Sequence, residues 1–177
     1  MSIFNLKKQQ ANATKNEDQT TAKKHTIMIV DDEEKQLSSL ESLFLGEYHV
    51  IAALNGQEAL NKIKGLKNPE ELSVIISDQR MPMMTGTQLF QELITLTPKT
   101  SRILLTAYAD TPAFLDPYEF VLKPFNPESF KNIVKRAVED FENRKLEAEE
   151  KRMLEKKVGE LSKDINQAYV ATWISLK

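Results

Sequence analysis

The 177-residue chain contains no cysteine, which excludes a disulfide framework, a thiolate zinc site and a cysteine nucleophile. Its two histidines, His25 and His49, are too few for a histidine-rich metal site. No apolar run approaches the about 20 residues that a membrane-spanning helix needs, and the N-terminus lacks the apolar stretch of a secretory signal. These absences favour a cytoplasmic protein that has no membrane partner.

The chain also lacks a large excess of charge of either sign. It has 24 Lys and Arg residues against 26 Asp and Glu residues, for a formal net charge of -2. This balance gives no reason to expect direct binding of nucleic acid or of an anionic membrane surface. The length suits one domain with extensions.

Composition divides the chain into three parts. Residues 1–24 are polar and rich in Lys, Gln, Asn and Thr, and we interpret them as a disordered tail. Residues 25–141 alternate apolar runs with helical patterns and predict one folded domain. Residues 142–177 predict a helical or coiled-coil extension, whose uncapped apolar end favours an output domain beyond residue 177; a short helix that closes a dimer is the alternative.

Five short apolar runs predict the strands of a sheet. They lie at residues 27–30, 50–54, 74–77, 103–105 and 120–122. The first four are separated by segments in which apolar residues recur at helical spacing. Strands that alternate with helices predict an α/β fold with a doubly wound parallel sheet.

The connection between the fourth and fifth runs is short. Residues 107–119 are near the minimum of about 10–12 residues for a crossover between parallel strands. Pro112 and Pro117 fall inside this segment, and Ala113 to Leu115 have room for one helical turn. We therefore predict a shortened fourth crossover without a full helix.

The last helix has a well-defined start and an unusual length. Asn126 can cap it, Pro127 suits its first position and Glu128 suits its positive end. If it is continuous from Pro127 to Asp164, it is too long to pack on a small sheet throughout and must leave the domain. Its distal part carries apolar residues in a 4-3-4-3 heptad spacing: Leu154, Val158, Leu161, Ile165 and Ala168.

Polar residues follow four of the predicted strands. Asp31 and Asp32 follow the first, Asp78 the third, Thr106 the fourth and Lys123 the fifth. Because ligands of open parallel sheets bind beyond the carboxyl ends of the strands, we expect these side chains to converge. Clustered carboxylates beside a hydroxyl and an ammonium group suggest a site for a divalent cation and a phosphoryl group.

Each of these residues also has an ordinary explanation when taken singly. Asp31 and Asp32 can cap the next helix, with Glu33 and Glu34 in its first turn. Asp78 can simply end a strand, and Lys123 can be a surface lysine. Their conjunction at strand ends favours the functional interpretation.

Four segments of the sequence carry a family resemblance. IMIVDDEE, VIISDQRMPMMTG, ILLTAYAD and FVLKPF resemble the receiver domain of two-component response regulators, over about Thr26 to Phe141. ALNGQEAL, residues 53–60, is similar to the second strand and helix start of the same family. The resemblance implies the flavodoxin-like strand order 2-1-3-4-5 of the chemotaxis-regulator fold.

The resemblance also implies a phosphoryl-transfer role. Asp78 would accept a phosphoryl group from a phosphohistidine on a sensor histidine kinase or a histidine phosphotransfer protein. Asp31 and Asp32 would hold Mg²⁺ together with Asp78 and the backbone carbonyl of Arg80. The receiver would act as a switch with slow self-dephosphorylation, and any effector enzyme would lie beyond residue 177.

Three further residues acquire roles from the same resemblance. Thr106 would donate its hydroxyl to the phosphoryl group, and Lys123 would pair with it. Phe120 matches the aromatic residue that switches position when Thr106 moves. The Lys123-Pro124 bond matches one that is usually cis in this family, and the C-terminal helix would carry the signal onward.

The chain departs from the family at two places. The shortened crossover truncates a surface that often mediates dimers, so we predict that any homodimer forms through the C-terminal helix. Arg80 and Tyr108, two positions beyond Asp78 and Thr106, are large and could slow attack by water on the phosphoryl group. Ordinary surface variation explains these two residues equally well.

Two other functions are compatible with parts of this sequence. A phosphorylation-independent receiver-like module for dimerisation or interaction would fit the altered crossover, but the complete set of acceptor-site residues argues against it. A metal-dependent phosphohydrolase would need a second Asp two positions after its Asp nucleophile. Asp31 is followed at that position by Glu33, which disfavours this class.

Overall fold

Five parallel strands form a single sheet in the computed structural model, which describes residues 24–107 and 118–175. The strand order is β2-β1-β3-β4-β5, as predicted. The strands are β1 (Thr26–Val30), β2 (His49–Ala53), β3 (Leu72–Asp78), β4 (Ser101–Thr106) and β5 (Tyr118–Leu122). Each pair of neighbours is parallel, so all carboxyl ends lie at one edge of the sheet.

Helices cover both faces of this sheet. They are α1 (Glu34–Phe44), α2 (Gly56–Lys64), α3 (Gly86–Leu93) and α4 (Pro127–Ser175), with a 3₁₀ turn at Pro69–Glu71 before β3. Buried residues of α1 and α4 pack on one face, and buried residues of α2 and α3 pack on the other. The prediction of a doubly wound α/β fold is therefore confirmed.

Strand β1 shows why the apolar runs are continuous. Ile27 and Ile29 point into the α1/α4 layer, whereas Met28 and Val30 point into the α2/α3 layer. All four side chains are fully buried. A strand that is covered on both faces needs apolar residues at every position, which accounts for the absence of alternation in the sequence.

The helical spacing of Leu89, Phe90, Leu93 and Ile94 predicts a third helix that stops near Pro98. Helix α3 ends earlier, at Leu93, and Ile94 is exposed. The segment after the helix is held by the buried Arg102, whose Nη2 donates to the carbonyls of Leu93 at 3.2 Å and Thr97 at 2.9 Å. The Leu93 carbonyl also accepts from the Thr97 N–H at 2.9 Å and from the Thr97 hydroxyl at 3.1 Å.

Helix α4 begins as predicted and is longer than expected. The Asn126 side chain accepts a hydrogen bond from the Ser129 N–H at 3.0 Å, which is the geometry of an N-cap. The helix has 49 residues, or about 74 Å at 1.5 Å per residue. Phe141 is buried, whereas residues 151–170 are all exposed. The distal part of α4 thus makes no packed layer with the sheet.

Arg144 fixes α4 near the point where it leaves the sheet. Its Nε donates to the carbonyl of Lys99 at 2.9 Å, and its Nη2 donates to the Ser101 hydroxyl. The Ser101 hydroxyl donates in turn to the Ala137 carbonyl at 2.5 Å. Ser101 is the first residue of β4 and Thr106 is the last, so one strand joins the helix to the candidate site.

Several predictions concern segments that lie wholly or partly outside the described residues. The polar tail of residues 1–24, the crossover with Pro112 and Pro117, and Tyr108 belong to this group and stay predictions. Strand β5 begins at Tyr118, two residues earlier than expected. Within residues 24–107 and 118–175, no helix has the length and apolar character to span a membrane.

Candidate functional site

The predicted site residues lie at adjacent strand ends. Val30, the last residue of β1, pairs with Ser77 of β3, and Asp78 pairs with Leu105 of β4. Thr106 pairs with Leu122, the last residue of β5. Asp31 and Lys123 directly follow β1 and β5, so the sheet register brings these side chains to one edge.

The Lys123 ammonium group lies at the centre of the site. It donates to Asp78 Oδ1 at 2.5 Å, to Gln36 Oε1 at 2.9 Å and to Asp31 Oδ2 at 3.1 Å. An ammonium group has three N–H donors, so all three are used. The contacts link β1, β3, α1 and the end of β5 through one atom.

The Asp78 carboxylate is held at both oxygens. Oδ1 accepts from Lys123, and Oδ2 accepts from the backbone N–H of Arg80 at 2.6 Å. The next residue is anchored to the sheet, because the Gln79 N–H donates to the Leu105 carbonyl at 2.9 Å. This bonding orients the carboxylate toward the cleft at the end of the sheet.

Asp31 is the most buried acid of the site, with only 1 % of its surface exposed. Burial raises the pKa of its carboxyl group above the ordinary value, whereas the Glu33 N–H and the Lys123 ammonium oppose this shift. Its Oδ1 accepts from the Glu33 N–H at 2.9 Å. Asp31 therefore orders the loop before α1 and contacts Lys123 at the same time, whereas the N-cap of α1 is Glu33, which has no side-chain capping hydrogen bond.

The pKa of Lys123 reflects the same cluster. Burial on its own would lower this pKa, but hydrogen bonds and charges from Asp78 and Asp31 raise it above the ordinary value. The side chain consequently remains a cation at neutral pH. A fixed positive charge beside Asp78 can neutralise negative charge that develops there.

Asp32 lies on the exposed rim of the site. It lines a cleft of about 310 Å³ together with Asp78, Arg80, Thr106 and Lys123. Among residues 24–107 and 118–175, no three His, Cys, Asp or Glu side chains are grouped closely enough to hold a metal ion. Asp31 and Asp78 are instead bridged by Lys123. The three carboxylates are nonetheless oxygen donors of the kind that Mg²⁺ prefers, so the donor chemistry fits this ion.

Thr106 and Phe120 lie on the same face of the sheet. Phe120 is the register partner of Leu104, which is two residues before Thr106 on β4, and side chains two apart on a strand share a face. Thr106 is buried, and its carbonyl accepts the Lys123 N–H at 2.8 Å. Phe120 is partly buried and packs on the α2/α3 layer. The Lys123-Pro124 peptide bond is cis, as expected.

Gly86, the first residue of α3, lies close against the backbone of Asp78. A Cβ atom at this position would lie 2.5 Å from the Asp78 carbonyl oxygen and 2.5 Å from Cδ1 of Leu104. Only glycine permits this approach of α3 to β3. The N-terminus of α3 is further fixed by a capping box between Thr85 and Gln88.

Gln36 is a site residue that the sequence analysis did not identify. A signal was present, because Gln36 lies four residues before Leu40 and seven before Leu43, on the apolar side of α1. A polar residue in such a stripe needs a polar partner when it is partly buried. Gln36 finds that partner in Lys123.

Of the two residues predicted to slow attack by water, only Arg80 lies within the described part of the chain. Arg80 is exposed, lines the cleft and contributes its backbone N–H to Asp78. Tyr108 lies outside the described residues. Arg80 therefore lies beside Asp78, and the role of Tyr108 stays a prediction.

Comparison with known proteins links this geometry to a family. The response regulator receiver domain profile matches residues 27–135. The hydrogenase transcriptional regulatory protein HoxA of Cupriavidus necator is 30% identical over 66% of this chain, and the regulatory protein AtoC of Escherichia coli is 32% identical over 64%. In both cases the match covers 25% of the relative, so the chain spans about a quarter of the length of these curated relatives.

A solved structure shows the same fold. The response regulator protein TrrA of Thermotoga maritima, in complex with Mg²⁺ and BeF, is 31% identical, with a TM-score of 0.55. The match covers 63% of this chain and 97% of the TrrA chain. The strand order and the profile match over most of the folded part agree, and the chain belongs to the response regulator receiver domain family of two-component signalling.

Proposed function

We propose that Asp78 accepts a phosphoryl group and that this event switches the receiver domain. The observation that carries the proposal is the Asp78 carboxylate, which is bound by the Lys123 ammonium and the Arg80 N–H at the mouth of an open cleft. The cleft that Asp78 lines has a volume of about 310 Å³, which is large enough for a phosphoryl group. A carboxylate is already ionised at neutral pH and needs no general base.

The proposed donor is a phosphohistidine on a sensor histidine kinase or a histidine phosphotransfer protein. An oxygen of Asp78 attacks phosphorus, a P–O bond forms, and the P–N bond to the donor imidazole breaks. The electron pair of that bond returns to the donor imidazole, which leaves as a neutral ring when its other nitrogen carries a proton. Transfer then depends on positioning and on neutralising charge at the phosphoryl oxygens.

Lys123 supplies part of that neutralisation. Its ammonium group is within hydrogen-bond distance of the attacking carboxylate, so it can follow the phosphoryl oxygens as they arrive. Asp31, Asp32, Asp78 and the Arg80 carbonyl would hold Mg²⁺. When bound, this ion would offset further negative charge on the phosphoryl group.

The phosphoryl group would then bias a two-state element. It adds a charge of about -1.5 to -2, and Thr106 at the end of β4 can move its hydroxyl toward it. Phe120 shares the face of Thr106 and can enter the space that is vacated. A shift from 1:99 to 99:1 needs about 5.5 kcal/mol of differential stabilisation, more than one charge-assisted contact of about 1.5–3 kcal/mol supplies, so several contacts must change together.

Arg80 and Tyr108 are proposed to affect how long the phosphoryl group persists. Arg80 lies at the rim of the cleft, where its side chain can obstruct an attacking water. Tyr108 follows Thr106 by two residues and is proposed for the same role from its place in the sequence. The receiver itself would act as a switch, with any output activity carried by another part of a longer protein.

Metal removal tests the proposed function. Incubation of the chain with radiolabelled acetyl phosphate and Mg²⁺ should give stoichiometric, hydroxylamine-labile labelling, because acetyl phosphate replaces the phosphohistidine donor. An excess of EDTA should reduce labelling to background. Labelling that is absent with Mg²⁺, in a chain with normal circular dichroism, would contradict the proposal and favour the phosphorylation-independent interaction module.

We further propose that a second copy of the chain pairs with the distal part of α4. Leu154, Val158, Leu161 and Ile165 recur at 4-3-4 spacing, and each is about 60 % exposed. No packed layer of this chain covers them among the described residues. A two-stranded coiled coil buries such a stripe against an identical stripe and needs no other partner.

A charge in this stripe should prevent dimer formation. Leu161→Asp places a carboxylate in the proposed seam, where it would be buried against its symmetry mate, and we expect at least a tenfold weaker dimer by analytical ultracentrifugation. Asn166→Asp is the matched control, because it introduces the same side chain at an exposed position outside the proposed seam. Equal dimerisation of the two variants, or a wild-type chain that is monomeric at high concentration, would contradict the proposed seam.

A further inference from the structure

The hydrogen bonding of Lys123 contains one acceptor that carries no charge. Asp78 and Asp31 are anions, whereas Gln36 offers an amide oxygen at 2.9 Å. Gln36 belongs to α1, whereas Asp78 ends β3 and Asp31 directly follows β1. The three acceptors use the three N–H groups of the ammonium completely.

These acceptors differ in what phosphorylation does to them. Asp78 would be esterified at one oxygen, and Asp31 would be drawn toward Mg²⁺, so both would become weaker partners of Lys123. Gln36 is neither a nucleophile nor a favoured ligand of Mg²⁺ in this cluster. Its hydrogen bond to Lys123 can therefore remain when the other two are exchanged for phosphoryl oxygens.

We propose that Gln36 is a positioning residue that holds Lys123 at the acceptor site while its other two hydrogen bonds pass to the phosphoryl group. This inference rests on the proposed function of Asp78 and deepens it. A lysine side chain has four flexible methylene groups, and a fixed third contact reduces the number of conformations that it can adopt. The effect of Gln36 should thus be larger in the phosphorylated state than in the free state.

The second role open to Gln36 is structural support of α1. Its neighbours Leu37 and Leu40 are buried core residues, and they anchor the helix without it. If Gln36 only supported the helix, removing its amide would lower stability whether or not Lys123 is present. If it positions Lys123, the two side chains must be energetically coupled.

Binding of fluoroberyllate, a phosphoryl mimic, tests the proposal. Gln36→Met keeps the length and helix propensity of the side chain but removes the strong acceptor. With Mg²⁺ present, we expect about five- to tenfold weaker fluoroberyllate binding by ¹⁹F NMR titration, since Lys123 without this third contact loses more conformational freedom when it binds the mimic. Gln57→Met is the matched control on the exposed face of α2, and its affinity should stay within about twofold of wild type.

A double-mutant cycle in urea unfolding provides a second readout that needs no ligand. Gln36→Met should lower the free energy of unfolding in the wild-type background and should have little effect in the Lys123→Met background. Unchanged or tighter fluoroberyllate binding by Gln36→Met, or an equal loss of stability in both backgrounds, would overturn the positioning role. A wild-type chain that fails to bind fluoroberyllate would overturn the proposed function of Asp78 and this inference with it, whereas binding by wild type with no effect of Gln36→Met removes only the inference.

Discussion

Replacing Asp78 by Asn should lower phosphoryl incorporation from acetyl phosphate by about a thousandfold or more, because an amide oxygen does not act as the nucleophile. The substitution keeps the size of the side chain and one carbonyl oxygen that can accept from Lys123 or from the Arg80 N–H. The decrease in phosphoryl incorporation should therefore come from the missing nucleophile and not from a change in the fold. Phosphoryl incorporation per chain, measured over time with Mg²⁺ present, gives the result directly.

Asp140→Asn provides the matched control for this experiment. Asp140 is an exposed acid of α4, and it lines none of the cleft around Asp78. The control should incorporate phosphate at the wild-type rate, and both variants should unfold at urea concentrations close to that of wild type. Substantial labelling of Asp78→Asn would show that another residue is the acceptor.

Gly86→Ala should cause the largest loss of stability among conservative substitutions near the site. The added methyl group would lie 2.5 Å from both the Asp78 carbonyl oxygen and Leu104 Cδ1, inside the contact distance of either. Relief requires α3 to move away from β3, and we expect a cost of about 2–3 kcal/mol in the free energy of unfolding. Phosphorylation should slow as well, since the displaced backbone carries the acceptor.

Gly46 provides a control that distinguishes a steric clash at Gly86 from the effect of replacing any glycine by alanine on the free energy of unfolding. Gly46 has no atom within 4 Å of a Cβ built at its position. Gly46→Ala should change the free energy of unfolding by no more than about 0.5 kcal/mol. Equal stabilities of the two variants in urea would mean that α3 is not packed against Asp78 as closely as described.

Much of the fold was predictable because a strand that is buried on both faces appears in the sequence as a continuous apolar run. Ile27 to Val30 are all apolar because alternate residues face different helical layers. The polar residue that ends such a run marks the edge of the sheet where ligands bind. This reasoning placed Asp31, Asp78 and Lys123 at one edge, and their hydrogen bonds show that they meet there.

Features that depend on contacts between distant residues were not predictable in the same way. The Leu93 carbonyl at the end of α3 accepts from Arg102 of β4 as well as from Thr97, and the sequence near Leu93 does not identify Arg102 as a partner. Gln36 is separated from Lys123 by most of the folded domain. Its position in an apolar stripe indicates only that it needs a partner and does not say which.

The distal part of α4 carries a feature that the sequence predicts but that no packed layer of the described chain covers. The heptad spacing from Leu154 to Ile165 was evident from the sequence, and the structure leaves these side chains exposed. A chain described by itself shows the stripe without showing what covers it. The proposed dimer therefore follows from the spacing and the exposure together.

The central claim is that a phosphoryl group is carried by the side chain of Asp78. Treatment of the labelled chain with borohydride reduces an aspartyl phosphate to homoserine, which peptide mass spectrometry can locate. We predict that this change occurs in the peptide that contains Asp78 and is absent without Mg²⁺. Homoserine at any other aspartate, or a fully labelled chain with none at Asp78, would contradict the claim.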